Sequence, residues 1–394
     1  MIITNPHSPI TSTRQKFSKI EFWSSVEYSG FMCSIVSHLT HYGWKNVCQR
    51  FQVSEHSYRS AHSLPARLLL RLRMYVVYPV QLTLRMLFDR QEALIVVNSN
   101  TFFAPLIACL LRSRRHTVVH LLYDLYPDAL VHAGSIREGS LKMRLIDRIT
   151  AATLRKADAN VMLAPGLLEH VKSRFAQVNR PQIIHVGTDD VDFGAPMASK
   201  GAAGEPVRVL YCGNMGYMHD VDTLGDALWA LDAGTSGEAP TCLSIDIHSS
   251  GAGYSRLTKR LADLPANSVI RLSGYLAPEC WLDTMRRADV ALVTMKPGAE
   301  KVVMPSKTYS AMQAAQAVIA VAPAHSDLAR TIVEHDCGWV VEPGDSKALE
   351  ALLRSLPARR EELRRKQENA HQAACQHYSG AVVAGLWAEL MAQL

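Results

Sequence analysis

The stretch YCGNMGYMHDVDTL, residues 211–224, decides how this sequence is read. It follows the apolar, β-branched run VRVL and leads into DTLGDALWAL, whose apolar residues recur at helical spacing. Between strand and helix stand two glycines, Gly213 and Gly216, and a lone His219. Glycine tolerates positive φ and leaves no Cβ between the backbone and a ligand. A helix beginning near Asp220 aims unpaired N–H groups back at the loop, where a diphosphate fits and His219 can hydrogen-bond a phosphate or sugar oxygen. A tight turn alone reads equally well here, because Asp220 is a good N-cap and competes for the same N–H groups.

The same strand, loop and helix grammar extends in both directions. Downstream, HSSGAGYSRL (248–257) places Gly251 and Gly253 between a second strand and a second helix. Strands are expected at 207–211, 242–248, 268–273, 289–294, 317–322 and 338–341, with helices between them. Upstream, strands are expected at 20–25, 46–53, 93–98, 116–122, 159–163 and 182–186. Strands alternating with helices imply parallel sheets covered on both faces. The fold class is therefore α/β, with two doubly wound, Rossmann-like domains. The domain limits read as 1–190 and 207–378, joined by a Gly-, Ala- and Pro-rich linker at 191–206, with a last apolar helix in 379–394. Ligands of such sheets bind beyond the carboxyl ends of the strands, so the search narrows to those loops.

Two more strand-end loops carry chemistry. In KVVMPSKTYSAMQAAQAVIA (301–320), Pro305 blocks helix upstream, Ser306 is a good N-cap, and Lys307 falls in the first helical turn. A cation there opposes the helix dipole by roughly 0.3–1 kcal/mol unless an anion sits beside it. In AHSDLAR (324–330), Ser326 or Asp327 caps the next helix or faces a ligand. In the first half, VVHLLYDLYPD (118–128) sets Tyr123, Asp124 and Tyr126 just past a buried strand. Asp124 there either orients or deprotonates a hydroxyl, or caps a local turn.

Composition narrows the classes. The 394 residues carry a net charge of +6 without a dense basic, aromatic-laced tract, so nucleic acid is not the expected partner. The 8 cysteines are scattered with no Cys-x-x-Cys, so no metal site is expected and a reducing cytoplasm suits them. The opening MIITNPHSPITSTRQK lacks the apolar core of a secretion signal. The helical segment 67–90 is apolar, yet Arg71, Arg73, Arg85 and Pro79 interrupt it well short of a membrane span. It either packs on the first sheet with its arginines reaching solvent, or lies on an anionic membrane surface.

Taken together, these residues resemble the GT-B fold of the family-4-like retaining glycosyltransferases of bacterial polysaccharide biosynthesis. The likeness rests on Gly213-Asn214-Met215-Gly216 with His219-Asp220, ADVALVTMKPG (288–298), Pro305-Ser306-Lys307, SDLAR and CGWVVEPGD over about 207–350, and on YDLYPD and LRKADANVML in the first half. The resemblance implies two domains facing each other across a cleft, with the final helix crossing back to the first. It implies metal-independent transfer of a sugar, with retention, from a UDP- or GDP-linked donor to a glycan or lipid-linked acceptor, with no separate cofactor. A cytoplasmic protein, peripheral at the inner face of the plasma membrane, is the expected setting.

Asp124, Lys307 and His219 are the implied catalytic residues. Donor contacts fall to Gly213, Asn214, Gly216, His219, Gly251, Gly253, Lys296, Glu300, Pro305, Ser306, Lys307, Thr308, Ser326 and Asp327, and acceptor-side contacts to Gly30, Tyr123 and Tyr126. Where many relatives carry two glutamates eight apart, this chain has Val302 and Ser310, leaving Glu300 as the nearby carboxylate; Ala315 stands where relatives have glycine, and Tyr217 where many have arginine. Two rival readings follow: a sugar-nucleotide epimerase of the same fold, and a non-catalytic scaffold that kept the fold without turnover.

Overall fold

The β-branched runs pair as parallel strands in two separate sheets. The computed structural model describes residues 17–25, 36, 39–40, 44, 46–53, 63–188, 191–194, 204–233, 242–265 and 268–394. Gly30, most of the segment between the strands expected at 20–25 and 46–53, and most of the 191–206 linker lie outside the described residues.

The first sheet comprises β1 (Lys19–Trp23), β2 (Val47–Arg50), β3 (Ala93–Asn98), β4 (His116–Leu122), β5 (Ala159–Met162) and β6 (Pro181–Ile183), in the order β2-β1-β3-β4-β5-β6. The second comprises β7 (Val207–Asn214), β8 (Leu243–Ser250), β9 (Ile270–Ser273), β10 (Val290–Thr294), β11 (Ala317–Val321) and β12 (Gly338–Val341), in the order β12-β11-β10-β7-β8-β9. Every pairing is parallel. Parallel neighbours need a crossover of a dozen or more residues, which is why a helix follows nearly every strand. All residues of β3, β10 and β11 are buried, as strands covered on both faces must be.

The chain divides into two compact units. One takes Met1–Pro127, Ile136–Asp190 and Gly380–Leu394; the other takes Asp128–Ser135 and Val191–Ser379. The terminal helix Gly380–Gln393 seals the first unit: Trp387 is fully buried and meets Phe22 edge to face at 5.5 Å. Within the second unit, the short helix Asp128–His132 lies against Gly298, where a Cβ would come within 2.6 Å of the His132 ring.

Three local differences from the sequence reading matter. β7 and β8 run past the expected strand ends and pair as far as Gly213↔Ser249 and Asn214↔Ser250, so Gly213 lies inside a ladder rather than in a turn. The expected helix 67–90 spans 64–88 and contains a π-turn at Arg73–Val77, where Tyr78 N–H reaches back to Arg73 O. Pro79, which has no N–H and crowds the preceding turn, follows directly. Third, Arg85 does not reach solvent. Its Nε bonds the fully buried Glu21 at 2.9 Å, and Trp23 Nε1 donates to the same carboxylate at 3.0 Å. Among the described residues, no helix is long and apolar enough to cross a membrane.

Candidate functional site

Strand order reverses between β7 and β10 in the second sheet and between β1 and β3 in the first. Helices depart to opposite faces at such a switch and leave a crevice at the carboxyl ends. Polar residues gather at both.

In the second unit, Lys307 opens the helix Lys307–Gln313 and turns its side chain onto β7. Its Nζ donates to Tyr211 Oη at 2.5 Å and lies 3.9 Å from the centroid of that ring. Tyr211 is fully buried and passes its own proton to Asn214 O at 3.2 Å. Burial lowers the Lys307 ammonium to about 7. Among the described residues no carboxylate pairs with it.

His219 stands beside this pair. Its Nδ1 is 2.9 Å from Thr294 O, at the end of β10, and 3.3 Å from Tyr211 Oη. Burial, reinforced by the nearby Lys307 charge, lowers the imidazole to about 3, so it is neutral at any ordinary pH. A carbonyl can only accept, so Nδ1 carries the proton and Nε2 presents a lone pair. Of the two partners expected for His219, a phosphate or a sugar oxygen, a neutral Nε2 suits a sugar hydroxyl, from which it can accept, and cannot donate to a phosphate oxygen.

The glycines divide by role. Gly213 has φ +128°, and a Cβ there would meet nothing within 4 Å, so its surface is open; its carbonyl accepts from Ser249 Oγ at 2.7 Å. Gly216 is not at positive φ, contrary to expectation. Gly251, at φ +101°, and Gly253 are needed for packing between the two loops. A Cβ on Gly251 would sit 2.6 Å from Asn214 Oδ1 and 2.8 Å from Met215 O, and one on Gly253 2.8 Å from Met215 O.

The caps are also settled. Asp220 Oδ1 accepts from Thr223 N at 3.1 Å, so it caps the helix Val221–Ala233. Ser326 Oγ caps the helix Asp327–Glu334 through Ala329 N at 3.1 Å, and Asp327 lies in its first turn with Arg330 3.9 Å away. Ser306 does not cap, against expectation. Its backbone is already helical (φ −61°, ψ −31°), which turns Oγ away from the free N–H groups, and Thr308 N bonds Pro305 O instead. Lys296 donates to His132 O at 3.2 Å.

Among the buried polar atoms of this unit that lack a partner among the described residues, two lie between β10 and the first turn of the Lys307–Gln313 helix. Glu300 Oε1 is 3.4 Å from His325 Nε2, while Oε2 is buried with no partner among the described residues. Thr308 is fully buried, and its Oγ1 has none either. Unsatisfied buried polar atoms are rare in native proteins and mark places completed by a ligand or water.

In the first unit, Ser99 Oγ gathers the loop after β4: it accepts from Tyr123 N at 3.0 Å and Asp124 N at 3.1 Å and donates to Asp124 O at 2.9 Å. Burial raises the Asp124 carboxyl to about 6. Tyr126 O accepts from Thr150 Oγ1 at 2.9 Å, and the Tyr126 ring is 6.0 Å from Phe102. Beside this loop, Asn98 Nδ2 donates to Ser24 Oγ at 3.0 Å, while Ser25 Oγ and both side-chain polar atoms of Asn100 are buried without partners among the described residues. Sequence reasoning missed this Ser24–Ser25 and Asn98–Thr101 cluster, and missed Tyr211. The available signals were polar pairs closing otherwise apolar strands and a single tyrosine in an aliphatic one. Among the described residues no group of three or more His, Cys, Asp or Glu is placed to hold a metal ion.

No family model matches the sequence. It is 27% identical over 250 residues to the probable glycosyltransferase WbjE of Pseudomonas aeruginosa, covering 60% of this chain and 58% of that protein. Solved structures that resemble nearly the whole chain include the following three. Sucrose-phosphate synthase from Thermosynechococcus elongatus gives a TM-score of 0.69 at 16% identity, covering 95% of this chain and 98% of that one. Anabaena HepE in complex with UDP-glucose gives 0.65 at 15% identity, covering 95% and 100%. WaaG, a glycosyltransferase involved in lipopolysaccharide biosynthesis, gives 0.64 at 15%, covering 94% and 99%. The two parallel six-stranded sheets with these neighbours are the GT-B fold.

Proposed function

We propose that this chain is a glycosyltransferase. It moves a sugar from a UDP- or GDP-linked donor to a hydroxyl of a glycan or lipid-linked acceptor, in the synthesis of a cell-surface or exported polysaccharide. The observation that carries the reading is Lys307: a part-buried ammonium at the β7/β10 switch, held on Tyr211, with no carboxylate partner among the described residues and with the uncovered backbone of Gly213 two residues further along the same strand. Part-buried cations ordinarily have anionic partners. A nucleoside diphosphate supplies one, and the structural neighbours of this fold include a UDP-glucose complex.

On this reading the anomeric C–O bond to the diphosphate breaks while the acceptor oxygen bonds the same carbon with retention. Lys307 and backbone N–H groups neutralise the charge that develops on the leaving phosphate, so no metal ion is required. His219 Nε2 accepts from a donor-sugar hydroxyl. Glu300 Oε2 accepts from a ribose or sugar hydroxyl. Asp124, poised near neutrality, orients or deprotonates the acceptor hydroxyl. The expected setting is the cytoplasmic face of the membrane.

A thermal-shift panel of UDP, GDP and their sugars tests this. A ligand that binds only the folded chain raises its melting temperature as RT ln(1 + [L]/Kd). UDP or GDP is expected to raise it, and Lys307→Ala to abolish the rise. No response to any nucleotide favours the scaffold reading. Epimerisation of UDP-N-acetylglucosamine without an acceptor favours the epimerase.

A further inference from the structure

The helical run from Leu64 to Phe88 carries an apolar face that the fold does not bury. The run rises about 37 Å, and its two halves differ in what they bury. Its second half is anchored by Tyr78, Leu82 and Met86, but no residue of Leu64–Leu72 is fully buried. Leu64, Leu68, Leu69, Leu72, Val76 and Val80 are each at least half exposed, and Phe88 at the far end is 75% exposed.

The arginines are placed by the same periodicity. At about 100° per residue, Leu64, Leu68 and Leu72 form one stripe. Arg67 and Arg71 run along one border and Arg73 marks the other, all three exposed. Residues 64–88 contain no aspartate or glutamate. An apolar stripe flanked by arginines is the pattern of a helix lying in the headgroup layer of a bilayer. A second copy of the chain would set arginine-bordered faces against each other with no acid to match them.

The helix is also tied to the polar strand ends of its own unit. The π-turn frees Met74 O, and Thr101 Oγ1 donates to it at 3.1 Å. Thr101 adjoins Asn100, whose amide is buried without partners among the described residues. We infer that the face of residues 64–88 docks on an anionic phospholipid bilayer. An amphiphile held in that bilayer would present its polar head beside Asn100.

Flotation with vesicles tests this. Vesicles of phosphatidylcholine alone are compared with vesicles in which part is replaced by phosphatidylglycerol. Binding to the anionic vesicles is expected to be about tenfold tighter and to weaken with salt. Arg71→Glu/Arg73→Glu and Leu64→Gln/Leu68→Gln/Leu72→Gln are each expected to lose about tenfold, while the thermal melt stays unchanged because every altered side chain is exposed. Equal binding to both vesicles, or binding kept by both variants, overturns the inference. So does self-association that the leucine variant abolishes without any vesicle binding. Vesicle binding and donor binding are read separately, so failure here leaves the glycosyl-transfer proposal standing.

Discussion

Lys307 Nζ donates to Tyr211 Oη at 2.5 Å while lying 3.9 Å from the centroid of the same ring. A hydroxyl and a π face hold the ammonium without cancelling its charge. Burial lowers it to about 7, whereas the unfolded chain keeps a lysine near its usual 10.5. Between those values the unfolded state binds the extra proton, so stability rises with pH across that window. A diphosphate beside Lys307 restores the proton. Binding of UDP or GDP at pH 8 is therefore expected to take up close to one proton, measured by calorimetry in buffers of different ionisation enthalpy. Lys307→Met should remove the uptake, and uptake that persists in the variant assigns the proton elsewhere.

The fold was plain in the sequence because parallel strands buried on both faces cannot hide. ALIVVN at β3 and HTVVHLL at β4 were bounded to the residue. Strand ends were harder. β7 continues to Asn214 because its partner β8 continues with it, and nothing in the stretch CGN alone announces a ladder. The candidate site was legible where a residue contradicts its local role, as a lysine does in a first helical turn. It was not legible where long-range contacts decide the role. Only the fold brings Thr294 to His219, which fixes the tautomer, or seats Arg85 on Glu21.

His219 is expected to stay neutral. Its folded value of about 3 lies below the unfolded one, so the unfolded chain binds the extra proton between about pH 3 and 6.5. The contribution to stability is present above that window and is lost as pH falls through it. Nitrogen-15 spectra should report one Nδ1–H tautomer, unchanged from pH 8 down to pH 5. A titration midpoint near 6 for this residue would refute the assignment.

Gly251→Ala is expected to destabilise the second unit by about 2–4 kcal/mol, since a left-handed residue gains a Cβ that strikes backbone. The clash is with Met215 O at 2.8 Å. Gly274→Ala, where a Cβ meets nothing within 4 Å, serves as the neutral control in the same urea titration. Equal midpoints for the two variants would mean the loops do not pack as described.

Ala315 sits at φ +53° just past the helix Lys307–Gln313. Its N–H bonds Met312 O and the next N–H bonds Ala311 O, the pairing of a left-handed helix stop that glycine usually fills. Ala315→Gly relieves a left-handed conformation that costs an L-residue roughly 1–2 kcal/mol, less the entropy that glycine loses on folding. A net gain of about 0.5–1 kcal/mol is expected in chemical denaturation, with donor affinity unchanged.

Thr308 and Glu300 separate structure from function. Both belong to the segment between β10 and the Lys307–Gln313 helix or its first turn, and each buries an oxygen without a partner among the described residues. If these atoms serve only the fold, they are liabilities. Thr308→Val keeps the shape and removes an unsatisfied hydroxyl, a change worth about 1 kcal/mol of added stability. If they serve a donor, the same change stabilises the free protein and weakens binding of the nucleotide-sugar. Glu300→Gln extends the test, because an amide can present its N–H₂ where a hydroxyl needs an acceptor. The expected pattern is higher unliganded stability for Thr308→Val, with a KM for the nucleotide-sugar raised about tenfold in both variants, as loss of one buried hydrogen bond to substrate implies. Gains in stability with an unaltered KM would place the donor's hydroxyls elsewhere in the second unit.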